Sequence, residues 1–434
     1  MGKIYQLLLK QGVGNPCVPC VQTGDTVRRG VRIAVKDRLG ADLHASVAGK
    51  IEAVTDEAIL IREDEQTADT FEPLPPGSLI ERIRSAGILG MGGAGFPTEV
   101  KLGQSVAGGT VIANGAECEP ILAHNCDQME TCPEEIYRGL LYAMDAVDAA
   151  RGILAIKAKY HEAIHALRRV IADPRISIFE LRDLYPVGEE RALVRDVLGV
   201  LLPPDARPLE AQAVVVNVET LSRVTQAVES GRPVLTKNLT VAGHLLGGPK
   251  SVTFTDVPIG TRFGDLIEAA GGLNEEYGEI LAGGPYMGQS ATVEDVVTKT
   301  TGGIIVTLPF IHEPSPIGLL VCACGAKEQR MREMVEKMGG NVVAVAYCKH
   351  AVPVHGRFKC RNPGICPGQA ERVLELKKAG AEAILIGNCS DCSNTVMAIA
   401  PKLKLRVHHI TDGAMRAMNL RLIRRLHNLE IQSR

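Results

Sequence analysis

The chain has 434 residues, 45% hydrophobic and 23% charged, with a formal net charge of −2, no Trp and 3% aromatics. That balance removes the broad electrostatic case for nucleic acid and leaves no stacking platform for bases. Domains of about 150 residues suggest about three units, and no apolar run reaches the ~18 residues a membrane helix needs. The N-terminal segment lacks the apolar core and small-residue cleavage site of a signal peptide, so a cytoplasmic location is expected.

Residues 1–75 read as a small all-β module, with short strands punctuated by Gly24, Gly30 and Gly49. Cys17-Val-Pro-Cys20 lies here. With no second pair nearby it cannot close a four-ligand site alone, and buried thiols, a redox or cluster role and zinc all stay open. Glu72 to Gly77, rich in proline, reads as a linker. Ser78 to Gly87 has helical spacing, with Gly87 as its stop. Then comes Gly90-Met-Gly92-Gly93-Ala-Gly95. Missing β-carbons suit close approach or positive φ, and free N–H groups in such a loop can cradle a phosphate. The string is not the dinucleotide fingerprint, which follows a strand rather than a helix. Taken alone, it is equally a tight surface turn.

Residues 76–235 then alternate strand and helix. Val111 to Ala113 is a strand ending in Asn114 and Glu117. Pro133 to Ala150 and His161 to Ile171 are helical, Ile153 to Lys157 is a strand, and Val214 to Val216 is a strand entering a helix at Asn217. Such alternation implies a mostly parallel sheet, with ligands where the strands end. His161 and His165 have no acidic or Cys companion and belong on a helix surface. Residues 236–312 read as short strands (Leu239–Gly243, Ser251–Phe254, Ile259–Arg262) with a helix over Phe263–Ala270. Residues 316–434 alternate again: strands at 317–322, 341–348 and 383–389, helices at 327–338 and 367–379. Seven of the twelve cysteines fall between Cys322 and Cys392. Cys324, Cys348, Cys389 and Cys392 sit at or just past strand ends, which share one edge in a parallel sheet. Cys360 and Cys366 lie in the Gly/Pro-containing connection 356–368. Such a number of thiols in a chain expected to be cytoplasmic points to metal, cluster or redox work rather than to disulfides.

Four strings in order, GMGGAGFPTEVKL, NGAECEP, YPVGEE and NVET, resemble the flavin-binding fold shared by the NADH-oxidising subunit of respiratory complex I and the RnfC subunit of the Rnf complex. The resemblance covers roughly residues 1 to 310, and the N-terminal third looks more like RnfC. It implies an α/β multidomain chain: a barrel-sandwich β module (1–75), a Rossmann-like FMN-binding α/β domain (76–235), a β-grasp (SLBB) module (236–312) and a Cys-rich C-terminal α/β domain (316–434). It implies FMN as cofactor and NADH as substrate. Gly90, Gly92, Gly93, Gly95, Phe96, Lys101, Asn114, Tyr185, Gly188, Asn217 and Thr220 would bind cofactor, and Glu117, Glu189 and Glu190 would serve the hydride-transfer site. The first module shows no hairpin-tip Lys for a lipoyl group and reads as a docking module.

The last third departs from RnfC, which carries two CxxCxxCxxxC cluster motifs where this chain has none. It resembles the RnfC-like electron-transfer protein of D-proline reductase. Three readings stay open for Cys324, Cys348, Cys360, Cys366, Cys389 and Cys392: an iron–sulfur cluster, structural zinc and a thiol/disulfide relay. The expected function is a soluble electron-transfer flavoprotein that oxidises NADH through FMN and passes electrons to a partner reductase, with association to a membrane complex admitted and no membrane span. The rival is a non-enzymatic docking subunit with a structural metal site.

Overall fold

The computed structural model describes residues 2–64 and 70–424. The N-terminal unit consists of two small antiparallel sheets. One joins Ile4–Leu8, Ala58–Glu63, Gly49–Val54 and Thr26–Val27; the other joins Val18–Pro19, Arg32–Val35 and Leu43–His44. Alternation drives their inner faces together: Leu7, Ile33, Leu43, Ile51, Ile59 and Ile61 are fully buried.

The segment 72–77 has no regular structure, as a proline-rich linker should. The helix after it, Leu79–Ser85, starts at a capping box: the Ser78 hydroxyl takes the Glu81 N–H and the Glu81 carboxylate takes the Ser78 N–H. The next sheet is fully parallel, in the order Ile176–Leu181, Arg151–Lys157, Thr110–Gly115, Ala213–Asn217. The chain builds outward from Thr110–Gly115 in one direction, then returns to its other side for Ala213–Asn217. That reversal creates a crevice at the carboxyl edge between those two strands, the place where ligands bind in open α/β sheets. Asn114 and Asn217 face each other in register there. Helices Pro133–Val147 and Val218–Glu229 pack on one face, with Leu140, Met144, Leu221 and Val224 fully buried between them.

Residues 236–306 form a five-stranded sheet in the order Gly248–Pro258, Thr236–Leu245, Gly303–Val306, Ile280–Ala282, Gln289–Ala291, with the helix Phe263–Ala269 against it. The strand expected at Ile259–Arg262 is absent. The hairpin strand Gly248–Pro258 already spans that stretch of sheet, and Gly260 takes φ +95° to turn the chain away.

The C-terminal sheet is again parallel, ordered Asn341–Tyr347, Pro316–Val321, Ala383–Ile386, Arg406–His409. It repeats the same reversal, so a second crevice opens between the ends of Pro316–Val321 and Ala383–Ile386. The helix expected from Pro367 begins at Ala370, because Gly368 takes φ +81° and holds the preceding residues in a loop. A hairpin of Ala351–Val354 with Arg357–Cys360 occupies the connection expected to be irregular.

Candidate flavin and thiol sites

The glycine loop is closed on itself by Gly90 N–H to Phe96 O (2.8 Å) and Gly95 N–H to Gly90 O (3.0 Å). Met91 N–H donates to the Thr220 hydroxyl (2.9 Å), which pins the loop to the first turn of helix Val218–Glu229. Gly92, Gly93 and Ala94 are exposed, and among the described residues their N–H groups have no protein acceptor. Gly93 takes φ +101°, and a β-carbon on Gly92 would stand 3.1 Å from the Asn217 side chain. This is an anion cradle made of backbone, beside a helix N-terminus that favours negative charge. Asn217 caps that helix through Oδ1, leaving Nδ2 turned to the loop. An FMN phosphate fits these donors. Phe96 is half-buried beneath the loop.

Lys101 reaches from helix Thr98–Leu102 to the Glu190 carboxylate (2.5 Å) and Val215 O (3.0 Å). Glu190 is the first residue of helix Glu190–Leu198, and Glu189 caps it, taking the N–H groups of Arg191 and Ala192 and the Arg191 guanidinium. Asn114 Nδ2 donates to Gly188 O (2.9 Å) and so ties this segment to the sheet edge. A β-carbon on Gly188 would meet the Cys118 sulfur at 3.1 Å. Lys101, Asn114, Glu189, Glu190, Asn217 and Thr220 are therefore gathered at one edge. Glu117 sits deeper, with φ +34° and Oε2 taking the Asn125 N–H (3.1 Å). Its carboxylate lies 3.6 Å from His124 Nδ1, yet burial raises the Glu117 pKa and lowers that of His124. Desolvation outweighs attraction here, so we read the contact as one between neutral groups.

All six expected cysteines meet at the second crevice, and Cys322 joins them. Cys322 hydrogen-bonds with Cys324, Cys348 and Cys392; Cys324 with Cys360; Cys392 with Cys348, Cys366 and Cys389. The sequence places Cys322 as the last residue of its strand; the strand ends at Val321, and the thiol is the first group beyond it. The fully buried Gln369 points its amide nitrogen at three sulfurs: Cys348 (3.1 Å), Cys392 (3.4 Å) and Cys366 (3.6 Å). No spacing in the sequence marks that glutamine. Cys392, donating to its neighbours, has its pKa raised, while Cys366 is lowered to about 7, chiefly by the Cys392 hydrogen bond. Among the described residues no group of three or more Cys, His, Asp or Glu side chains is placed to hold a metal ion. Convergence of the thiols is thus present without a ligand cage; the sulfurs contact one another, with an amide among three of them. Cys17 and Cys20 do not join each other: their sulfurs face Ala41 O and Arg32 O. His161 and His165 are exposed on their helix.

The two crevices are joined by one segment. Tyr185 N–H donates to the Ser390 hydroxyl (3.2 Å) and Ser390 N–H to Tyr185 O (3.3 Å), where Ser390 opens the helix Ser390–Met397 that carries Cys392. The Tyr185 ring stacks on Tyr286 (3.6 Å between centroids, 2° apart), whose edge meets His409. Glu119 binds the neighbouring turn, taking the N–H groups of Tyr286 and Met287 (2.8 Å each).

This geometry defines a flavoprotein, with a backbone phosphate cradle at the switch point of a parallel sheet. Sequence comparisons agree: the Nuo51 FMN-binding domain matches residues 83–226, and the RnfC barrel sandwich hybrid domain matches residues 1–68. The cobalamin reductase PduS of Citrobacter freundii is 42% identical over 347 residues, covering 79% of this chain and 72% of that protein. The RnfC-type subunit of the Na(+)-translocating ferredoxin:NAD(+) oxidoreductase complex of Acetobacterium woodii is 33% identical over 315 residues, covering 68% and 70%. The chain belongs to the RnfC-like family of electron-transfer flavoproteins. No helix among the described residues is long and apolar enough to cross a membrane.

Proposed function

We propose that the chain oxidises NADH on FMN held at the Gly90–Gly95 loop and passes the electrons to the thiols of residues 322–392, and from them to a protein partner. One observation supports this above the others. The segment Tyr185–Glu190 is common to both crevices: Glu190 stands beside Lys101 at the flavin edge, and Tyr185 bonds to the helix bearing Cys392. Bound FMN accepts a hydride's two electrons and releases them singly or together.

The residues divide the remaining work. The N–H groups of Gly92, Gly93 and Ala94, with Asn217 Nδ2, bind the phosphate. Glu190 holds Lys101 in place and presents its second carboxylate oxygen to the nicotinamide. The buried Tyr185–Tyr286 stack excludes water between the crevices, which protects electrons in transit from solvent. Residues 236–312 act as a β-grasp (SLBB) docking module, and the partner is a reductase of the proline-reductase class. A second acceptor, a corrinoid, is favoured by the 42% identity to a cobalamin reductase.

The test is the visible spectrum of anaerobically prepared protein. We expect a flavin band bleached by NADH, and bleaching slowed at least about tenfold in Glu190→Gln. Protein that takes up FMN and stays inert to NADH would leave only the docking role. Adding cob(III)alamin or an oxidised dithiol protein to the reduced sample separates the two acceptors.

A further inference from the structure

Seven thiols in contact raise the question of which of them meets the outside. Six are buried; Cys366 alone has appreciable exposure. It sits in the loop before helix Ala370–Lys378 and is held there by its own N–H, which donates to Asp391 (2.7 Å). Its sulfur is ringed by donors. Gly368 N–H lies at 3.3 Å and Gln369 Nε2 at 3.6 Å. The Thr395 hydroxyl lies 3.0 Å from the sulfur and 3.0 Å from Cys392 O, so its one hydrogen can turn to a charged sulfur. Charge-assisted donors of this kind favour thiolate over thiol. Behind Cys366, Cys392 is in hydrogen-bond contact with it. Gln369 is fully buried with Oε1 unpartnered, its amide nitrogen aimed at both sulfurs. An accessible sulfur with thiolate donors, backed by a second sulfur without solvent access, is the arrangement of an attacking and a resolving thiol.

We propose that Cys366 and Cys392 form a working dithiol that reduces a disulfide on a partner protein, Cys366 attacking and Cys392 resolving, with Gln369 as a positioning residue. The proposal rests on the reading that electrons reach these thiols from the flavin side. In the first step the Cys366 thiolate bonds to one sulfur of the partner's disulfide. That S–S bond breaks, and the other partner sulfur leaves as a thiolate and takes a proton. In the second step Cys392 gives up its proton and bonds to the Cys366 sulfur. The mixed disulfide breaks, and the partner's second sulfur leaves and is protonated. The partner disulfide gains two electrons and two protons, and the chain is left with a Cys366–Cys392 disulfide. Restoring the dithiol consumes one nicotinamide hydride and one solvent proton.

The test needs neither flavin nor NADH. The full chain is reduced chemically, desalted without air and challenged with the aromatic disulfide 5,5′-dithiobis(2-nitrobenzoate), followed by peptide mapping. Wild type should release two equivalents of the coloured thiolate in its fast phase and carry a Cys366–Cys392 disulfide. Cys392→Ser should release one and keep the adduct on Cys366. Cys366→Ser should lose the fast phase by about tenfold or more. Independently of any variant, limiting iodoacetamide on reduced wild type should label Cys366 ahead of the other six. A fast phase that survives Cys366→Ser, an adduct on another cysteine in Cys392→Ser, preferential labelling elsewhere, or stoichiometric iron or zinc in wild type each overturns the dithiol. Failure of NADH to bleach the flavin overturns the preceding function instead and leaves this result standing.

Discussion

Glu119 shows what a single residue conceals. It lies inside the string NGAECEP, yet its partners are N–H groups 167 and 168 residues further on, at Tyr286 and Met287. No local spacing foretells such a pairing, so only the folded chain reveals it. Burial raises its pKa from 4.5 to about 7, against the pull of the two N–H donors. Between those pH values the folded chain holds a proton that the unfolded chain has lost. Its contribution to stability is therefore full below about pH 4.5 and is lost as pH rises through 7, at up to about 1.4 kcal/mol per pH unit. Glu119→Gln removes that titration and sets an amide NH₂ against one of the two N–H donors, at a cost of about 1–3 kcal/mol. Denaturant midpoints at pH 5, 6, 7 and 8 should slope for wild type and flatten for the variant; parallel curves would refute the assignment.

Whole elements are far more legible, and for identifiable reasons. Long periodic segments such as Pro133–Val147 announce themselves, as does the capping box at Ser78 and Glu81. The four strings at the flavin edge are readable because each pairs a buried strand or helix mouth with polar residues. The hairpin 351–360 escapes a reading of the sequence. Its signal, a two-residue turn at His355-Gly356, is a recognised one, but Pro353 inside a strand of four residues obscures it. Both turn residues have positive φ, +46° and +74°. A β-carbon on Gly356 would meet no atom within 4 Å, so any penalty there comes from the backbone alone. Gly356→Val should cost roughly 1–2 kcal/mol locally, a β-branched residue being poorly suited to that region. Because the hairpin ends at Cys360, which hydrogen-bonds with Cys324, alkylation of Cys360 should rise several-fold while that of Cys366 stays constant. Equal rates at Cys360 in both proteins would mean that the turn does not hold that thiol.

At the scale of the whole molecule, the units are separable in the sequence but their joints are not. The principal joint on the flavin side is Lys299, a fully buried lysine in the 236–306 unit. Its Nζ donates to Asp42 O (2.6 Å) in the N-terminal unit and to Gly87 O (2.8 Å) at the stop of the helix that leads into the flavin loop. Its own N–H donates to the Gln11 side chain (2.9 Å), and two residues beyond Gln11 the Val13 N–H donates to Gly95 O (2.9 Å). The N-terminal unit therefore buttresses the loop from outside, and Lys299 fixes the buttress. Both acceptors of the amine are carbonyls rather than carboxylates, so burial prevails and lowers the pKa from 10.5 to about 8. The unfolded chain holds the extra proton between those values, so stability from this group rises with pH across that window. Lys299→Met keeps the length of the side chain and deprives two buried carbonyls of a donor, a loss of about 1–3 kcal/mol. The variant should lose the stability gain between pH 8 and 10, and it should release FMN several-fold faster, read as flavin fluorescence recovered after gel filtration. Its reaction with an aromatic disulfide should match wild type, since the thiol crevice bonds to the flavin edge through Tyr185 and Ser390 rather than through Lys299. Unchanged FMN release would show that the loop stands without its buttress. A parallel loss of thiol reactivity would show that the two crevices share one scaffold rather than one joint.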